Sequence, residues 1–144
     1  MVICTDTSFL FSLYGNDSKT PDSVKWSASN NVAILITALT HFELINALRF
    51  AECRRFIGIG DSDRFAADFH TDLKGGRLIE RFCDLADILA EASRLSLDHT
   101  LTGGHRGFDI LHVAAAKVIG ATRFLTFDAT QKKLADKEGL IVPL

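Results

Sequence analysis

The chain has 144 residues, 47% of them hydrophobic and 24% charged, with a formal net charge of −2. This length accommodates one domain, residues 1–144, with a sizeable core, and the composition is that of an ordinary globular protein. The slightly acidic balance excludes a global attraction to nucleic acid, so any such binding must use local basic patches.

Three cysteines, Cys4, Cys53 and Cys83, form no C-x-x-C pair and read as reduced, buried thiols of a cytoplasmic protein. No charged-then-apolar leader opens the chain, and its longest apolar run, Val32 to Leu39, is far too short to span a bilayer.

In chain order, Val2-Ile3-Cys4 is a short apolar run expected to form a buried strand. Asp6, Thr7 and Ser8 follow, a polar triplet suited to cap the helix that Phe9, Leu10, Leu13 and Tyr14 continue up to Gly15. Thr20-Pro21 opens a second short helix, with Trp26 and Ala28 as packing candidates. Val32 to Thr37 is nearly all apolar, as a parallel strand covered on both faces requires.

A longer helix is expected from Thr40 to about Ile57, with Phe42, Ile45, Leu48 and Phe56 on one side. Thr40 and Glu43 fit a capping box, which would give Glu43 a purely structural role. After the joint at Gly58 to Gly60, Phe65, Phe69 and Leu73 mark a helix closed by Gly75-Gly76. Leu78-Ile79 fits either a short strand or a loop. Asp84 to about Leu97 is helical, His99 to Gly104 reads as loop, and Gly107 starts an alanine-rich helix ended by Gly120. Arg123 to Phe127 is another strand, Ala129 to Glu138 a helix, and Leu140 to Val142 a last strand. This alternation predicts a three-layer α/β/α sandwich around a mainly parallel sheet.

In such a sheet all strand carboxyl ends lie on one edge. Asp6 and Asp128 each follow a strand directly, Glu43 lies shortly past another, and Asp109 sits in the first turn of a helix leading back to the sheet. Four acidic groups distant in sequence should therefore converge. A single acid there can simply complement a helix dipole, worth about 0.3–1 kcal/mol. Clustered acids repel by roughly 4 kcal/mol per pair at about 4 Å and an effective dielectric near 20, so a cluster stays ionised only beside a cation. An all-carboxylate set points to Mg²⁺ or Mn²⁺ and away from zinc.

The five histidines show no zinc-type spacing, and no P-loop or dinucleotide fingerprint is present. His112, one turn after Asp109, either orients that carboxylate or packs in its helix. Gly103-Gly104 is weak evidence for a phosphate cradle, and Arg106 is the best-placed basic residue for phosphate contact. Apolar faces carrying Phe50, Phe56, Phe65 and Phe69 predict a homodimer.

The stretches D-T-S-F-L at Asp6, T-H-F-E-L-I-N-A-L at Glu43, H-R-G-F-D-I-L-H-V-A-A-A at Asp109 and F-L-T-F-D-A-T-Q-K-K-L-A at Asp128 resemble PIN-domain proteins, and more narrowly VapC-type toxins of toxin–antitoxin modules. Residues 58–97 are the least diagnostic. The resemblance implies a PIN fold and an endoribonuclease dependent on Mg²⁺ or Mn²⁺. Asp6, Glu43, Asp109 and Asp128 match the family's acidic positions, and Thr126 its small polar residue before the last Asp. Asp6 and Asp109 are the expected direct metal ligands, with Asp128 and Glu43 completing the site or acting through water. Thr7, Arg106 and Thr126 are expected to support these carboxylates or touch phosphate. A homodimer and a cognate antitoxin that blocks the site are also implied. Competing readings are a housekeeping RNA-processing nuclease and a non-catalytic binding module. A receiver-like or aspartyl-phosphate domain is disfavoured, since no paired Asp-Asp lies near the start and Asp6 has no D-x-D.

Overall fold

The computed structural model describes residues 1–144. Strands β1 (Ile3–Thr5), β2 (Ile34–Ile36), β3 (Leu78–Glu80) and β4 (Arg123–Leu125) form one sheet in the order β3-β2-β1-β4. All its pairings are parallel, with Cys4 opposite both Leu35 and Phe124. Leu78-Ile79, ambiguous in sequence, is thus an edge strand. The expected last strand at 140–142 shrinks to a single parallel bridge between Ile141 and Arg123. Pro143 follows almost at once and has no N–H to extend the ladder.

Helices α1 (Thr7–Tyr14), α2 (Thr20–Ser29), α3 (Ala38–Cys53) and α4 (Asp61–Gly75) precede β3. After it come α5 (Leu85–Leu95), the short turn α6 (Leu101–Gly103), α7 (Gly107–Ile119) and α8 (Ala129–Lys137). Because strand side chains alternate faces, the sheet separates two cores. Ile3, Ile34, Ile36 and Leu125 pack with Phe9, Leu10, Leu44, Leu48 and Phe69 on one side. Cys4 and Phe124 pack with Ile88, Leu95, Val113, Leu134 and the alanines of α7 on the other. Each fully buried large side chain stabilises by roughly 1.5–3 kcal/mol, and the small residues Ala114 to Ala116 let α7 approach the sheet closely. Gly120 ends α7 at φ 76°, a left-handed conformation in which a side chain would be strained.

Several local expectations change. Helix α3 begins after Thr37 as N-cap, so Thr40 is inside it, Glu43 lies in its second turn, and no capping box forms. Its buried face is Thr40, Leu44, Leu48 and Ala51, whereas Phe42 is exposed on another side; the helix ends at Cys53, short of the expected Ile57, which leaves the exposed Phe56 in the turn beyond it. Trp26 meets Phe9 edge-on at 5.6 Å, but Ala28 is exposed. The segment from His99, expected as loop, instead continues α5 through a π-helical stretch, Ser96–Thr100, into α6. Long-range pairs hold it there. His99 Nε2 lies 2.6 Å from Glu138 Oε1, and Arg94 bridges Glu91, Asp98 and Glu138. Cys4 is buried, with its thiol pushed up to about 12 chiefly by burial, but Cys53 is exposed and Cys83 only partly covered.

Candidate active site

Strand β1 delivers Asp6 to the carboxyl edge of the sheet, where its N–H donates to the Leu125 carbonyl of β4 at 3.1 Å. The side chain caps α1, accepting from the Phe9 N–H at 3.1 Å. Ser8 Oγ lies 2.8 Å from both carboxylate oxygens, and Thr126 Oγ1 and Gln131 Nε2 donate to Oδ2 at 2.7 and 3.0 Å. Asp6 is completely buried, and this burial raises its carboxyl above the usual range despite the bonds from Thr126, Phe9 and Ser8. Thr126 Oγ1 also accepts from the Asp128 N–H at 3.0 Å.

Asp128 caps α8 through the Gln131 N–H at 2.7 Å. Asp109, in the first turn of α7, accepts from Gln131 Nε2 at 3.2 Å. Burial, then the Asp128 charge, raises its carboxyl, while Arg106 and His112 oppose the rise and Glu43 adds to it. The four acids named from sequence therefore share one electrostatic neighbourhood. Arg106 is the exposed N-cap of α7 and makes no side-chain hydrogen bond, so its guanidinium is open to a ligand.

Glu43 reaches the site from α3 by a different set of contacts. Its Oε2 accepts from Thr7 Oγ1 and lies 2.5 Å from Nε2 of His112, whose side chain is 1% exposed. Burial pushes the Glu43 carboxyl up, but the bonds from His112 and Thr7 outweigh it and the net direction is down. His112 thus orients Glu43, not Asp109, because the ring points across to α3 with Nδ1 3.4 Å from Thr40 Oγ1.

No three acidic, imidazole or thiol groups close around a common point tightly enough to form a ready-made cage. The donor set still fits a hard divalent ion. It consists of oxygens, Asp6 and Asp109 lie within reach of one and the same nitrogen atom, and Mg²⁺ commonly binds one or two carboxylates through a retained water shell. Sequence reading missed Gln131; its only signal was its place three residues after Asp128, in the first turn of a helix starting at the acidic edge.

A parallel sheet whose carboxyl edge gathers acids from four chain segments defines an α/β domain with an acidic candidate site at the strand carboxyl ends. The PIN domain family description matches residues 3–137, and the chain belongs to that family. Solved structures share the fold. VapC20 of Mycobacterium tuberculosis, described as a sarcin-ricin loop cleaving toxin, is 18% identical with a TM-score of 0.68, covering 96% of each chain. FitAcB of Neisseria gonorrhoeae is 17% identical with a TM-score of 0.64, over 98% of this chain and 96% of that one. PAE2754 of Pyrobaculum aerophilum is 22% identical with a TM-score of 0.61, over 99% of this chain and 83% of that one. A search of curated protein sequences gave no significant match.

Proposed function

We propose that the chain is a divalent-metal-dependent endoribonuclease and the toxin of a toxin–antitoxin pair, acting as one nuclease domain in the cytoplasm. The observation that carries this reading is the pairing of Asp6 and Asp109 through a single shared donor, with Asp128 and Glu43 beside them. The likeness to a toxin that cleaves the sarcin-ricin loop and to FitAcB supports the toxin assignment.

Asp6 and Asp109 would hold Mg²⁺ or Mn²⁺, with Asp128 and Glu43 completing the site or acting through water. When bound, the ion supplies an activated water and neutralises charge on the phosphodiester oxygens. The chain's own residues do the rest. Thr126 and Ser8 fix the Asp6 carboxylate, and Thr7 and His112 fix Glu43 in its ionised form. Arg106 faces solvent three residues past the end of α6 at Gly103, placed to take an RNA phosphate.

A protein partner has an apolar surface available on the chain. A groove of about 460 Å³ is lined by Leu39, Phe42, Phe82, Leu85 and Ile88, with Phe82 94% exposed, and Phe42 neighbours Glu43 in the chain. An antitoxin helix in that groove could deliver an arginine to the carboxylates. Phe50 and Phe56 are exposed and support a homodimer, whereas Phe69 is fully buried and cannot contribute. The test is cleavage of RNA by purified protein in Mg²⁺, Mn²⁺ and chelator, beside Asp109→Asn, with light scattering for the dimer. Growth arrest on expression, relieved by co-expression of an adjacent small gene, tests the toxin role. Cleavage that persists in chelator would overturn the metal reading.

A further inference from the structure

Gln131 is 4% exposed and its side-chain amide lies between two candidate metal ligands. One nitrogen, Nε2, donates to Asp6 Oδ2 at 3.0 Å and to Asp109 Oδ1 at 3.2 Å. The orientation follows from chemistry, since ionised carboxylates only accept and the amide NH₂ carries two donors. These two hydrogens place positive charge density between the two acids, and for Asp109 they are its side chain's one hydrogen-bond donor.

The rest of the side chain is not anchored. Oε1 is buried and has no hydrogen-bond partner, so only the two carboxylates hold the amide in place. The Gln131 backbone N–H is separately engaged by Asp128, so α8 keeps its cap if the side chain moves. Asp6 would retain Ser8, the Phe9 N–H and Thr126, whereas Asp109 has no other hydrogen-bond donor than Gln131.

We propose that the Gln131 amide is a built-in stand-in for the cation, bridging Asp6 and Asp109 in the ion-free protein and surrendering that position when a divalent ion binds. This rests on the metal-dependent reading of the site. It makes Gln131 a determinant of ion affinity: the ion must displace the amide, and the amide protects the ion-free fold from repulsion between the acids.

The experiment is Mn²⁺ titration by calorimetry and the Mg²⁺-induced rise in Tm, for wild type, Gln131→Leu and Gln131→Met. Both variants remove the donors, and Met keeps nearly the original length, so one of them folding suffices. The expected result is Mn²⁺ binding tighter by about five- to ten-fold in the variants. Their Mg²⁺-induced Tm rise should also exceed that of wild type by roughly 3 °C. In wild type, the Gln131 side-chain amide resonances, assigned by their absence from the variants, should move and exchange faster as Mg²⁺ saturates. Equal or weaker Mn²⁺ binding by the variants, or amide resonances unmoved at saturation, overturns the proposal and leaves metal dependence standing. No ion-induced change in wild type, together with chelator-resistant RNA cleavage, overturns both.

Discussion

Replacing His112 with leucine tests how the site keeps Glu43 ionised. The His112 ring is buried, and its Nε2 lies 2.5 Å from Glu43 Oε2. Leucine fills most of the ring's volume, so the main loss is a hydrogen bond to a charged acceptor, worth about 1.5–3 kcal/mol. Glu43 is 31% exposed, so water partly replaces the lost donor and the lower half of that range applies. A fall in Tm of roughly 5–8 °C follows for a chain of this size. The titration of Glu43 should change as well. Burial favours its neutral form, and His112 and Thr7 together reverse that preference. With His112 gone, the Glu43 carboxyl should titrate at higher pH than in wild type. A carboxyl held below its unfolded value of 4.5 gives stability above that pH and loses it as pH falls, so the variant should lose this contribution. Carboxyl-carbon NMR across pH 2–8 in about 0.1 M salt reads the titration, with Screening by salt held constant. His112→Gln, which keeps a donor near the Nε2 position, should recover part of both effects. An unmoved Glu43 titration with an unchanged Tm would refute the assignment of His112 as the residue that orients Glu43.

Asp109→Asn should abolish RNA cleavage yet raise the ion-free Tm by roughly 2 °C, a gain of about 0.5 kcal/mol, because burial and then Asp128 disfavour its charge; thermal melts in chelator check it. Glu138 is held at about 2 because bonds from Arg94, His99 and Lys117 outweigh its burial. Its stabilisation is complete above about pH 4.5 and lost as pH falls toward 2, an effect of roughly 1–2 kcal/mol after discounting for the solvent around Arg94. Urea melts of Glu138→Gln should therefore converge with wild type only at the acidic end. A thiol reagent should label Cys53 rapidly in the folded protein and leave Cys4 untouched until unfolding, as mass spectrometry of the labelled peptides would show.

The sequence alone determined the class of fold and the address of the acids. Short apolar runs at Ile3, Ile34 and Phe124, each bounded by polar residues, read as buried strands, and strands joined through helices run parallel, so the residues following them share an edge. Asp6 and Asp128 as helix caps were legible for the same local reason, since N-caps are set by neighbours in the chain.

What those acids touch was decided only by tertiary structure. Thr40 and Glu43 have the spacing of a capping box, but the competing partners Thr7 and His112 come from α1 and α7 and leave no trace in the local pattern. The helix beyond Leu95 persists through a glycine-containing loop signal because Glu138, distant in the chain but adjacent in the fold, pairs with Arg94 and His99. Gln131 follows the same rule: its period and propensity mark only a helix residue, and its position between Asp6 and Asp109 exists because β1, α7 and α8 meet at one corner of the sheet. Local chemistry sets which element forms, while hydrogen bonds between distant segments set what each polar group faces, and those depend on packing that no window of sequence contains.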